Sequence, residues 1–158
     1  MGNIVCKFGG TSVADAAQIR KIESILSADP RRRYVVVSAP GKLGRDGKKV
    51  TDLLYLCHEL AEADLPIAEA FHLIRERYLG IAKELGVRAD LEQRIREVEE
   101  GIQSKASRDW VASRGEYLSA ILLADYLKAR FVDMEKLIKI REDGRVDEST
   151  YGLLAGAL

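Results

Sequence analysis

The most constraining stretch of this sequence is its first forty residues, where two short β-branched runs flank one helical pattern. Ile4-Val5-Cys6-Lys7-Phe8 reads as a strand stopped by Gly9-Gly10, and Tyr34-Val35-Val36-Val37-Ser38 as a second, closed by Ala39-Pro40-Gly41. Between them Ser12-Val13-Ala14-Asp15 resembles a capping box with Asp where Glu or Gln is usual. It opens a helix with Ile19, Ile22 and Leu26 on one face, ending before Pro30. Strand, glycine turn, helix and strand make one βαβ crossover, a right-handed connection that sets the two strands parallel. The valine triplet has no polar alternation, so the second strand is expected to be buried on both faces.

The remaining chain reads as mostly helical, with helices expected over residues 51–64, 67–85, 90–106 and 114–129. Ile67, Phe71, Ile74, Tyr78, Ile81 and Leu85 form one apolar stripe, and Leu91, Ile95, Val98 and Ile102 another. Such stripes mean packing against helix or sheet. Phe131-Val132-Asp133 is a weaker third strand. An open α/β sheet usually holds about five or six strands, so a helix-rich chain with three reads as part of a larger domain. The helical pattern from Thr150 to Leu158, with no closing strand, fits that expectation.

Composition narrows the function classes. Twenty-five basic residues balance twenty-five acidic ones, which argues against nucleic-acid or anionic-membrane binding by bulk charge. With 47% apolar and 32% interspersed charged residues, the chain can bury a core and is not disordered. No apolar run approaches a membrane span, and Met-Gly-Asn-Ile-Val is not a secretory n-region, so a cytoplasmic protein is expected. Cys6 and Cys57 lack metal or disulfide-scaffold spacing, and Cys6 is expected to be a small core residue. His58 and His72 lack metal partners, Arg31-Arg32-Arg33 reads as a solvated turn, and no catalytic triad or carboxylate pair can be assembled.

Four segments can carry chemistry. In Lys7-Phe8-Gly9-Gly10-Thr11-Ser12 a lysine ends a strand, glycines permit close anion approach or positive φ, and a helix N-terminus follows. Lys7 could reach a transferring phosphoryl group. The lysine precedes the glycines, so this is not a Walker A loop; a plain tight turn is the alternative. Ser38-Ala39-Pro40-Gly41-Lys42 lies beyond a strand end, where open α/β sheets bind ligands, or is simply a Pro-Gly turn. After the polar loop 42–49, Thr51 in Val50-Thr51-Asp52-Leu53 is placed to cap a helix or to hold a substrate carboxylate. Ser113-Arg114-Gly115-Glu116 could open a helix and bind a zwitterion, Arg114 taking the carboxylate and Glu116 the ammonium. Alternatively Glu116 only complements the macrodipole.

In this order the four segments resemble the aspartokinases of the amino-acid kinase family, from residue 3 to about 150. Lys7-Phe8-Gly9-Gly10-Thr11-Ser12-Val13 looks like their full signature, whereas kinases of glutamate, acetylglutamate, carbamate or UMP share only a looser Lys-x-Gly-Gly pattern. The resemblance implies an α/β fold, a three-layer open, mainly parallel sheet with helices on both faces, present here in part. Residues 1–158 would be the N-terminal, amino-acid-substrate side of the kinase domain, without the ATP-side half or the regulatory ACT domains. The implied reaction is phosphoryl transfer from MgATP to the β-carboxylate of L-aspartate, with Mg2+ held mainly by the nucleotide. Lys7 would neutralise the phosphoryl, with Phe8, Gly9, Gly10 and Ser38 lining the phosphate side; Thr51, Glu116 and Arg114 would hold aspartate. The family usually has a glycine-containing turn where Lys128-Ala129-Arg130 runs directly into Phe131. A non-catalytic binding or assembly module and a sister kinase are the alternatives, and self-association through an uncovered apolar face is expected.

Overall fold

The computed structural model describes residues 2–44, 47–87 and 90–158. Parts of the expected loop at 42–49 lie outside the described residues. Strand β1 (Ile4–Phe8) pairs in parallel with β2 (Arg32–Val37), Lys7 opposite Val36 and Phe8 opposite Val37. Helix α1 (Ala16–Ser27) connects them, followed by α2 (Val50–Glu62), α3 (Ala68–Leu85), α4 (Leu91–Gln103), α5 (Arg108–Tyr126) and α6 (Ser149–Ala157). The βαβ unit and the helix-rich character are therefore as the patterning implies.

The helical stripes build the core. Phe71, Ile74 and Tyr78 of α3 meet Leu91, Ile95, Val98 and Ile102 of α4, with Leu54 and Cys57 of α2 and Leu118 and Leu122 of α5, all buried. Local chemistry sets the helix ends. Asp15 caps α1 by accepting from the Gln18 N–H at 2.8 Å, and Ser107 caps α5 by accepting from the Trp110 N–H. Gly86 ends α3 at φ 68°, the left-handed conformation a helix C-terminus favours. Lys128 takes the same conformation after α5, at φ 54°, where the resemblance led to a glycine.

Several expectations are corrected. Ser12 does not open α1; a 3-10 turn (Gly10–Val13) intervenes, its Ser12 N–H donating to the Gly9 carbonyl at 2.9 Å, and Asp15 is the cap. Strand β2 is not buried on both faces: Val36 is 49% and Val5 65% exposed on the side facing away from the helices. Cys6 is half-buried rather than in the core. Residues 131–133 form no strand. Phe131 instead packs edge-on to Tyr117 at 5.7 Å, and the Asp133 carboxylate accepts from the Glu135 N–H, turning the chain into a 3-10 segment (Met134–Lys136). A β-branched run becomes a strand only where a partner edge is at hand, and the described sheet has two strands.

Candidate functional site

The carboxyl ends of β1 and β2 lead into two turns whose backbones touch. The Ser38 N–H donates to the Phe8 carbonyl at 3.0 Å, continuing the strand pairing, and the Gly41 N–H donates to the Gly10 carbonyl at 2.9 Å. This approach demands glycine on both sides. A Cβ on Gly10 would lie 2.9 Å from the Ala39 carbonyl oxygen, and one on Gly41 would lie 2.9 Å from the Gly10 carbonyl carbon. Neither glycine has positive φ, so close approach, not backbone freedom, is what they supply. Gly9 is extended at φ −78°, with open space where a Cβ would stand.

The second turn also reaches α2 and α5. The Pro40 carbonyl accepts from the Val50 N–H at 3.1 Å, seating the start of α2. Thr51 is thus in the first turn of α2, not at the cap, which is Lys49; the Thr51 hydroxyl makes no hydrogen bond to a described residue. Ser113-Arg114-Gly115-Glu116 likewise lies in the middle of α5, not at its start. There the Glu116 Oε1 accepts from the Ala39 N–H at 3.2 Å. Gly115 permits that contact: a Cβ on it would stand 2.5 Å from the Ala39 Cβ. Glu116 itself is exposed, as is Lys7, whose ammonium makes no ion pair among the described residues.

The turn 38–41 therefore meets Phe8, Gly10, the start of α2 at Val50, and Glu116, with Gly9 and Thr51 next to these in sequence and Lys7 one residue before the joined strand ends. It does not bring in Arg114. Residues two apart on a helix do not face each other, and the buried Arg114 guanidinium stacks 4.5 Å from the Trp110 ring and 4.8 Å from the Tyr117 ring. It donates to Glu135 Oε2 at 2.6 Å, tying the 3-10 segment to α5. The zwitterion pair expected from Arg114 and Glu116 is thus split across the helix.

Two side chains of α3 reach the same place: Tyr78, a member of the apolar stripe, and Arg77, which no sequence pattern singles out. Arg77 Nη1 donates to the Gly41 carbonyl at 3.0 Å, and the Tyr78 hydroxyl to the Gly115 carbonyl at 2.6 Å. Burial pushes the Tyr78 phenol well above its ordinary range; the Ser119 hydrogen bond opposes this, the Glu116 charge adds to it and Arg77 opposes it. A tyrosine hydroxyl in an otherwise non-polar stripe is the signal that could have found it, since a buried phenol needs a partner. A cleft of about 470 Å³, lined by Arg94, Tyr117, Arg130, Phe131 and Lys136 among others, shares none of these residues. Among the described residues no His, Cys, Asp and Glu cluster could hold a metal, and no helix is long and apolar enough to cross a membrane.

Exposed, unpaired charge of both signs beside a backbone-lined turn is an arrangement for gripping a ligand with anionic and cationic groups. Residues 3–158 match the model of the amino acid kinase family. The chain is 39% identical over 137 residues to aspartokinase 3 of Bacillus subtilis, a match covering 83% of the chain and 30% of that protein. The aspartokinase of Chlamydia muridarum is 32% identical over 139 residues, covering 85% and 29%. Among solved structures, Clostridium acetobutylicum aspartate kinase superposes with a TM-score of 0.94 at 38% identity, over 98% of the chain and 36% of its own. Aspartokinase III of E. coli, solved with aspartate and ADP, gives 0.74 at 25% identity, over 97% and 37%. The chain thus spans about 30% of the length of the curated relatives it matches.

Proposed function

The chain belongs to the amino acid kinase family, and from that premise we propose that it carries the amino-acid side of an aspartate kinase. The proposed reaction moves the γ-phosphoryl group of MgATP to the β-carboxylate of L-aspartate, giving 4-phospho-L-aspartate for lysine, threonine and methionine synthesis. The observation that carries this reading is the turn 38–41, which touches the glycine turn, seats α2 and meets Glu116 of α5.

The chemistry fits such a site. A β-carboxylate oxygen attacks the γ-phosphorus while the bond to the bridging oxygen of ADP breaks. Both nucleophile and leaving group are anions, so no proton need move, and positioning with charge neutralisation supplies the rate. Lys7 neutralises the transferring phosphoryl, with Gly9, Gly10 and Phe8 beside it and Ser38 on the nucleotide side. Glu116 takes the α-ammonium of aspartate and the Thr51 hydroxyl takes a carboxylate oxygen. Arg114, engaged with Glu135 and two rings, is left out of the substrate site. Mg2+ would be held mainly by the nucleotide, as part of the MgATP substrate.

ADP release by the encoded full-length protein, measured with MgATP and either aspartate or glutamate, tests the proposal. Aspartate-dependent turnover is expected, and none from residues 1–158 alone. Preference for glutamate would shift the assignment to a sister kinase, and silence with both would leave a non-catalytic module. Self-association through the exposed Val5 and Val36 face belongs to the same proposal, and light scattering of the 158-residue chain checks it.

A further inference from the structure

We propose that Arg77 and Tyr78, consecutive residues of α3, are a positioning pair that sets the two substrate sides of this site separately. This rests on the aspartate kinase reading above. Arg77 Nη1 holds the Gly41 carbonyl at 3.0 Å. The N–H of the same residue, Gly41, donates to the Gly10 carbonyl, so Arg77 braces the backbone junction that shapes the phosphate turn. Tyr78 holds the Gly115 carbonyl at 2.6 Å, one residue before Glu116 and at the point where α5 comes nearest Ala39. The two side chains leave α3 about 100° apart around its axis, which is why one reaches the turn and the other the helix.

Burial makes the Tyr78 contact selective. The side chain is fully enclosed, so its proton has few places to go but the Gly115 oxygen and Ser119 Oγ, 3.3 Å away. With the proton given to Gly115, the Ser119 hydroxyl donates to the Tyr78 oxygen, and the network is satisfied. Its product is a fixed α5 register against the 38–41 turn, which is what the Glu116 to Ala39 hydrogen bond requires. Arg77 is half-buried and makes no ion pair among the described residues, so the Gly41 carbonyl is the partner that holds it in place.

The test uses Tyr78→Phe, Arg77→Met and Arg77→Lys in the encoded full-length protein, read by steady-state kinetics and by amide hydrogen exchange. Tyr78→Phe should raise KM for aspartate about fivefold while KM for MgATP holds, the size of one lost hydrogen bond. Arg77→Met should do the reverse, and Arg77→Lys, which keeps a donor, should recover most of the loss. Exchange at the Ala39 amide should quicken about fivefold in Tyr78→Phe and stay as in the wild type in Arg77→Met. Equal shifts in both KM values, or no shift with unchanged Ala39 exchange, would overturn the pair's division of labour. A wild type silent toward aspartate would bring down the functional reading alone, and the exchange data would still decide the positioning.

Discussion

Glu116 and Ala39, 77 residues apart in sequence, are joined by a hydrogen bond of 3.2 Å from the Ala39 backbone N–H to the Glu116 carboxylate. The bond uses one oxygen and leaves Oε2 without a partner among the described residues, so Glu116 is aimed by the turn rather than consumed by it. A carboxylate held in this way is oriented before any ligand arrives, which lowers the ordering cost of binding.

Glu116→Gln separates aim from charge. The amide oxygen can still accept from Ala39, while the proposed substrate ammonium loses its anionic acceptor and meets an NH2 donor instead, a cost of about 1.5–3 kcal/mol. KM for aspartate should rise about 10- to 100-fold with the melting temperature unmoved. An unchanged KM would remove Glu116 from substrate recognition.

Gly115 and Gly80 both lie inside helices, and alanine should act on them in opposite directions. At Gly80 the added Cβ meets nothing within 4 Å, so Gly80→Ala should stabilise by about 0.5–1 kcal/mol. At Gly115 the same gain is set against a Cβ 2.5 Å from that of Ala39, and overpacking costs about 1–3 kcal/mol. Urea midpoints should move up for the first and down for the second. A rise in both would mean that α5 and the turn can part without cost.

How much of this was legible in the sequence depends on how local each signal is. The βαβ unit and the α3 and α4 stripes are readable because each pattern repeats within a few residues of itself. The start of α5 lies at Arg108 rather than at the expected 114, and its signal is Ser107, a capping residue whose hydroxyl accepts from the Trp110 N–H. Residues 131–133 have a strand's composition, but strand formation is decided by a partner edge, which no local pattern encodes. The glycine turn was legible as a motif, whereas its reason, backbone contact between Gly10 and Gly41, is a long-range fact. The same holds for Arg77 and Tyr78, whose roles depend on carbonyls 36 and 37 residues away.

Arg114 should prove structural. Its side chain is 8% exposed, with the guanidinium stacked on Trp110 and Tyr117 and paired with a Glu135 side chain that is 52% exposed. Stacking a largely desolvated cation is worth about 2 kcal/mol, and a half-exposed ion pair adds less than about 1. Arg114→Leu should therefore lower stability by about 1–3 kcal/mol, and Arg114→Lys should not restore it, lacking the planar group. KM for aspartate should stay within about twofold in Arg114→Lys. A tenfold rise there would return Arg114 to the substrate site.

Alkaline stability should fall in two stages. Burial, reinforced by the Glu99 charge, pushes the Cys57 thiol from 9.0 up to about 11 in the folded chain. Burial pushes the Tyr78 phenol up as well. A folded-state pKa raised above the unfolded one means that the native state holds its proton longer. The contribution is complete below the unfolded pKa and declines as pH rises through the interval. Stability should thus drop between about pH 9 and 11 for Cys57, and further above about pH 10 for Tyr78. Each group accounts for at most about 1.4 kcal/mol per pH unit. In urea titrations across this range Cys57→Ala should flatten the first stage and Tyr78→Phe the second. Profiles parallel to the wild type would contradict the burial of those two groups.

Lys7 divides the enzyme reading from the plain-turn reading most sharply. It is the second-last residue of β1, close to the glycine turn, exposed and without an ion pair among the described residues. Nothing in the packing depends on its ammonium, so Lys7→Met should leave the unfolding midpoint where it is. In phosphoryl transfer, by contrast, a cation at the transferring group stabilises charge that spreads over the phosphoryl oxygens as the bond to ADP breaks. Losing one such preorganised contact costs about 10²- to 10³-fold in rate. Steady-state kinetics of the encoded full-length Lys7→Met protein should show that loss in kcat, with KM for aspartate changed little because the proposed aspartate contacts of Glu116 and Thr51 remain. A kcat within about threefold of the wild type would make Lys7 the exposed end of a strand and move the phosphoryl contact elsewhere.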